Sequence, residues 1–109
     1  MAAKACRLVM EKENLILDDI DLLICSTTSP SSVTPSMACR VLNQLAVGKG
    51  EAMVQAFDIN AACSGYLYAL QAAYDYLQSS PQSRVLVVTT EVLSPLLDPS
   101  DFDTAILFG

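Results

Sequence analysis

DINAACSGYLYAL, residues 58–70, sets a cysteine inside a run of very small residues, just where one apolar pattern gives way to another. Residues 52–59 upstream read as a strand. Downstream of Cys63, the residues Ser64, Tyr68, Gln71, Asp75 and Gln78 recur at helical spacing as a narrow polar stripe on an otherwise apolar cylinder. That pattern predicts a helix that is mostly buried. A strand passing into a helix through so short a turn places the turn at the carboxyl edge of a sheet, where open α/β sheets bind their ligands.

The flanking sequence repeats the alternation. Ala2 to Glu13 carries Ala2, Ala5, Cys6, Val9 and Met10 opposite Lys4, Arg7, Glu11 and Lys12, a half-exposed helix that Asn14 can stop in a left-handed conformation. Leu22 to Cys25 is a short apolar run bounded by the polar cluster STTSPSS, as expected of a buried parallel strand. Thr34-Pro35 is a start signal, a cap hydroxyl followed by a proline at the first helical position. Met37, Ala38, Val41, Leu42 and Leu45 then form one face until Gly48.

Arg84 to Thr90 is β-branched and apolar without alternation, which suits an interior strand covered on both faces. Residues 104–108 read as one more strand after a proline-rich turn. The order α, β, α, β, α, β, β, without linker or repeat, predicts an α/β layered fold around a mostly parallel sheet.

Composition narrows the function. The chain has 109 residues, 52% of them hydrophobic, enough for one domain with a core. No apolar run approaches the ~20 residues that cross a bilayer, and the first residues lack the pattern of a secretory signal. A cytoplasmic protein with no membrane partner is expected. Twelve acids against six scattered bases give a net charge of −6, which repels phosphate backbones and argues against nucleic acid as a partner. Cys6, Cys25, Cys39 and Cys63 lie singly in apolar segments, without the spacing of a zinc site or the context of a disulfide framework. No metal and no cofactor is expected. The chain contains no histidine, so a mechanism that needs an imidazole must take it from outside this sequence.

Cys63 admits two readings on its residues alone. At a strand-to-helix turn its sulfur lies near the free N–H groups of the first helical turn, whose partial positive charge stabilises a thiolate. Ala61, Ala62, Ser64 and Gly65 would let an acyl chain or a second helix approach the backbone. Unpaired cysteine is also a common small core residue, and small residues at such a turn serve plain close packing. Cys6, Cys25 and Cys39 are read as structural.

The segments DIDLLICSTTS, TPSMACRVLNQL, AFDINAACSGYLYAL, RVLVVTTEVLSPLLDPSD and TAILFG follow one another along nearly the whole chain. In this they resemble the β-ketoacyl-acyl carrier protein synthase III family of the thiolase superfamily. The resemblance implies a thiolase-like fold in which residues 1–109 form an incomplete N-terminal domain carrying the nucleophile. It places the family's nucleophilic cysteine on Cys63, whose backbone N–H also belongs to the oxyanion hole. It implies acyl-CoA and malonyl-acyl carrier protein as substrates. The thiolate accepts an acyl group, malonyl-acyl carrier protein is decarboxylated, and the carbanion attacks the acyl-enzyme.

The family's histidine and asparagine have no counterpart in these residues, and Asn43 and Asn60 do not replace them: Asn43 falls in a helix, and Asn60 in a turn where it bonds backbone. The fragment is therefore expected to be inactive in condensation, with coenzyme A phosphates and an acidic carrier bound mainly by residues outside it. The resemblance also implies that a central first strand is missing. A gap in the sheet would then expose strand edges that drive homodimerisation or higher self-association.

The family pushes a side chain of the loop before the second helix into the partner subunit's acyl pocket. That position is Thr34, which implies a roomier pocket; the simpler reading makes Thr34 an N-cap. Glu91 and Asp58 are read as structural acceptors, and Tyr66, Tyr68, Tyr74 and Tyr76 as packing and rim residues. The alternatives left open are a polyketide starter-unit synthase or another thiolase-superfamily enzyme and, in a different class, a non-catalytic association module.

Overall fold

A computed structural model describes residues 1–48 and 53–107. In chain order the elements are α1 (Ala2–Lys12), β1 (Leu22–Ser26), α2 (Met37–Ala46), β2 (Gln55–Ile59), α3 (Gly65–Ser79), β3 (Val85–Thr89) and α4 (Phe102–Ala105). Single 3₁₀ turns lie at Leu17–Asp19, Ala62–Ser64 and Ser94–Leu96. The fold is α/β, as the alternation requires, and no helix among the described residues is long and apolar enough to cross a membrane.

The three strands form one parallel sheet in the order β2-β1-β3. Leu22 pairs with Gln55 on one side and Val85 on the other, and the ladders run in step to Ile59 and Thr89. Every residue of β1 is buried, which explains why that strand is apolar without alternation. The expected gap at the centre of the sheet is not there. Both backbone edges of β1 are used, and the free edges among the described strands are the outer ones of β2 and β3. The interior position expected for β3 is corrected accordingly: Leu86 and Val88 are buried, while Val85 and Val87 are only half-buried.

Alternate β1 side chains serve two cores. Leu23 and Cys25 join Cys6, Met10, Leu17, Val41, Leu45, Leu86 and Val88 beneath α1 and α2. Leu22 and Ile24 meet Ala69 and Ala73 of α3. Leu23 and Ile24 are fully enclosed, which contributes roughly 1.5–3 kcal/mol for each. Helix α1 ends at Asn14 in the left-handed conformation, φ 55°, as read from the sequence.

Three expectations fail. Helix α2 begins at Met37, its cap is Ser36, whose hydroxyl accepts the N–H of Cys39 at 3.2 Å, and Pro35 lies outside the helix. Thr34 is therefore not the N-cap. The Asp58 carboxylate accepts the N–H groups of Met37 and Ala38, each at 2.7 Å, and supplies from β2 the acceptors that a helix N-terminus lacks. Helix α3 is mostly exposed rather than buried. It meets the sheet through Gly65, Ala69 and Ala73, and Tyr66, Leu67, Tyr68, Leu70 and Tyr74 face outward. Of the four tyrosines, Tyr76 is the one packed against the core. Finally, residues 102–105 are helical, where a strand was expected over 104–108, whose last residue lies outside the described residues. The Thr104 hydroxyl donates to Asp101 Oδ2 at 2.7 Å and Ala105 N–H to Asp101 O at 3.0 Å, so local bonds close a turn that a short apolar run does not exclude.

Candidate active site at the carboxyl edge of the sheet

Parallel strands end at the same edge, so the segments leaving β1, β2 and β3 converge. Thr27 N–H donates to Ile59 O and Thr90 N–H to Ser26 O, both at 3.1 Å, carrying the ladder one step beyond the strands. From this edge β2 turns through Asn60, Ala61 and Ala62 into the 3₁₀ turn that contains Cys63 and runs straight into α3.

Two features make that turn tight. Ala62 has φ 47°, a left-handed conformation that costs a residue with a Cβ roughly 1–2 kcal/mol; such strain marks places where geometry is held by its surroundings. A Cβ on Gly65 would lie 2.0 Å from Ser26 Oγ and 3.3 Å from Ser26 Cβ. The first turn of α3 thus lies against the end of β1 at a distance that only glycine permits. Ser64 N–H closes the turn on Ala61 O at 3.1 Å.

Cys63 is exposed and opens on a cavity of about 540 Å³ lined by Thr28, Ala62, Cys63, Glu91, Leu93, Leu96, Leu97 and Thr104. Leu93, Leu96, Leu97 and Ala62 supply its apolar wall, and Thr28, Glu91 and Thr104 add polar side chains. A negative charge formed at Cys63 lies at the positive end of a 15-residue helix. The other cysteines differ. Cys6 and Cys25 are buried; burial pushes the Cys25 thiol up to about 12, the carboxylates of Asp58 and Glu91 and the neighbouring Cys6 adding to it, and burial also raises Cys6. Cys39 is exposed on α2, its sulfur 3.8 Å from Ala56 O, away from the cavity.

Sequence reasoning singled out Cys63 and its small neighbours but not the far wall of the cavity. Glu91, read as a structural acceptor, takes the N–H of Thr28 at 2.7 Å and of Ser29 at 3.0 Å, with hydroxyl bonds from Thr28 and Ser29. Burial opposes ionisation of Glu91, but the bonds from Ser29 and Thr28 outweigh it and hold the carboxyl below its ordinary range. Leu93, Leu96 and Leu97 were read only as part of a turn; their spacing around Pro95 was the one sign of an apolar wall. Thr34 is exposed and does not line the cavity. Asn43 lies on α2 as expected, whereas the backbone bond expected of the Asn60 side chain is not formed among the described residues. No cluster of His, Cys, Asp and Glu suited to a metal ion occurs among them either.

Residues 57–109 match the 3-oxoacyl-[acyl-carrier-protein] synthase III family. Over the whole chain, identity is 42% to a β-ketoacyl-[acyl-carrier-protein] synthase III of Clostridium acetobutylicum, of which the chain covers 32%. The chain is similar to that family's members along its whole length. Among solved structures, 3-oxoacyl-[acyl-carrier-protein] synthase III from Aquifex aeolicus superposes with a TM-score of 0.84 at 43% identity, covering 100% of this chain and 34% of that one. The priming β-ketosynthase of the R1128 polyketide pathway superposes with a TM-score of 0.81 at 33% identity, over 100% of this chain and 31% of its own. The fold is therefore part of a thiolase-like α/β architecture, and the chain spans about a third of the length of the curated relatives it matches.

Proposed function

We propose that the chain is the nucleophile-bearing part of a condensing acyltransferase of fatty-acid biosynthesis, joining an acyl-CoA primer to malonyl-acyl carrier protein through an acyl thioester on Cys63. The observation that carries this reading is the exposed Cys63 sulfur at the head of α3, facing a leucine-lined cavity of about 540 Å³. In the first half-reaction the thiolate attacks the acyl-CoA carbonyl, and the tetrahedral intermediate expels the coenzyme A thiolate, which takes up a proton. In the second, malonyl-acyl carrier protein loses carbon dioxide, its carbanion attacks the acyl-Cys63 carbonyl, and the Cys63 thiolate departs from the 3-oxoacyl product.

The chemistry uses the two thioesters as substrates and no cofactor. Because the 109 residues contain no histidine, an imidazole that polarises the malonyl carbonyl must be supplied from elsewhere, and the fragment alone is proposed to stop at acylation. We assign the intact enzyme to the cytoplasm as a homodimer in which Thr34 enters the partner's acyl pocket. Its exposure on the loop before α2 is compatible with that role, and replacement by phenylalanine, Thr34→Phe, then shortens the acyl chains accepted.

Incubation with acyl-CoA followed by peptide mass spectrometry tests the central step. An acyl adduct on Cys63 that vanishes in Cys63→Ser is expected; its absence from the complete protein favours a non-catalytic association module. Likeness to a priming polyketide synthase supports a second reading, starter-unit synthesis, which the set of accepted primers distinguishes.

A further inference from the structure

Glu91 stands on the segment that leaves β3, yet its carboxylate collects donors from a loop 63 residues away. Oε1 accepts the Thr28 N–H at 2.7 Å; Oε2 accepts the Thr28 hydroxyl and the Ser29 N–H, each at 3.0 Å, and the Ser29 hydroxyl, with the Thr27 hydroxyl at 3.4 Å. Val92 N–H returns a bond to Ser29 Oγ at 2.8 Å. Hydrogen bonds to an ionised acceptor are about twice as strong as neutral ones. These bonds therefore fasten the loop after β1 to the segment after β3.

Both fastened segments line the Cys63 cavity: Thr28 comes from the first, and Leu93, Leu96 and Leu97 follow Glu91 in the second. Nothing in the acyl transfer itself requires a carboxylate here, and Glu91 is saturated by its donors rather than aimed at the sulfur. We propose that Glu91 is a positioning residue that sets the width of the cavity in front of Cys63, and thereby the length of acyl chain accepted there. The proposal rests on Cys63 being the acyl acceptor.

A glutamine at this position keeps the shape but puts an NH₂ group where N–H and O–H donors already point, so that part of the latch becomes donor against donor. The Leu93 to Leu97 wall is then free to move away. The test is alkylation of Cys63 in the full chain by N-methylmaleimide and N-octylmaleimide, the adduct quantified by peptide mass spectrometry. Both reagents attack the same sulfur by the same chemistry, so the ratio of their rates cancels the intrinsic reactivity of the thiol and reports the cavity alone.

Glu91→Gln is expected to lower the octyl-to-methyl ratio by about tenfold, because the octyl tail draws its advantage from the leucines. Glu91→Asp, which keeps the charge, recovers part of it. A purely structural latch would lower the melting temperature and leave the ratio unchanged, and that result in folded Glu91→Gln overturns the proposal. Should Glu91→Gln not fold, Ser29→Ala takes its place: it removes the hydroxyl shared by Glu91 and Val92 but leaves both backbone bonds to the carboxylate. A folded Ser29→Ala with an unchanged ratio also overturns the proposal. Failure of the Cys63 reading is distinct, appearing as no acyl adduct from acyl-CoA whatever the maleimide ratio.

Discussion

The two faces of the sheet are built on different terms. On one, α1 and α2 bring large side chains, Met10, Val41 and Leu45, against Leu23, Leu86 and Val88, and the layer closes. On the other, Ala72 and Tyr76 pack half-buried, and the residues that α3 buries are only Gly65, Ala69 and Ala73. Those small residues, four apart, form a single stripe that lets the helix axis lie close to β1. The first face buries apolar area; the second gives up much of that area for proximity. Proximity holds the Cys63 turn at the edge of the sheet with little slack in the backbone on either side.

The widest contrast is between cysteines on the two sides of this division. Cys25 lies between β1 and the α1/α2 layer with its thiol pushed up to about 12 from an ordinary 9.0. At pH 8 that alone lowers its thiolate fraction by about a thousandfold. Labelling with a disulfide reagent in the native state is expected to reach Cys63 and Cys39, both exposed, and to reach Cys6 and Cys25 only after denaturation; rapid native labelling of Cys25 would break the contrast.

On the closed face, Leu23→Ala is expected to cost about 2–5 kcal/mol in denaturant titrations, because the fully buried side chain leaves a cavity beneath two helices. On the close-approach face, Gly65→Ala is expected to cost about 1–3 kcal/mol despite alanine's better helix propensity, since the new Cβ collides with Ser26 Oγ. Adding Ser26→Ala should recover part of that loss, leaving a tight but tolerable contact of 3.3 Å to the remaining Cβ. If Gly65→Ala proved neutral, the idea that α3 trades packing for proximity would fall. The smallest effect belongs to the outer surface of α3: Leu67→Ala, at a side chain 67% exposed, should change the stability of this chain by no more than about 0.5 kcal/mol.

Much of this was legible in advance. The apolar runs at residues 22–25 and 85–89 and the small-residue turn at Cys63 located three strands and the helices between them, because short apolar runs and helical spacing are each visible locally. The misreadings at the start of α2 and around α3 depended on partners far away in the chain, and the one at residues 104–108 did not. Thr34 and Pro35 carry a valid local start signal, but Asp58 of β2 presents its carboxylate to Met37 and Ala38 instead, and the helix begins there. Apolar residues around α3 promised burial, but whether a helical face is covered depends on what packs against it. Residues 104–108 are too short an apolar run to separate strand from helix by period alone. Around the candidate site, Cys63 was visible as a sulfur at a helix entrance, whereas the joining of Glu91 to Thr28 and Ser29 spans 63 residues and no local pattern announces it.

The sheet order also bears on how the chain comes off the ribosome. Of the three described strands the central one, β1, is made before its two neighbours; β2 follows after α2, and β3 only after α3. At about 5–20 residues per second, the edge of β1 meant for β3 waits several seconds for its partner, at a stage when β2 is already available for the other. A nascent chain halted before Arg84 would present a mostly apolar strand with one open edge, a state in which parallel sheets are exposed to mispairing. The three strand ends that meet around Cys63 are thus brought together only once β3, the latest of the three, has been made.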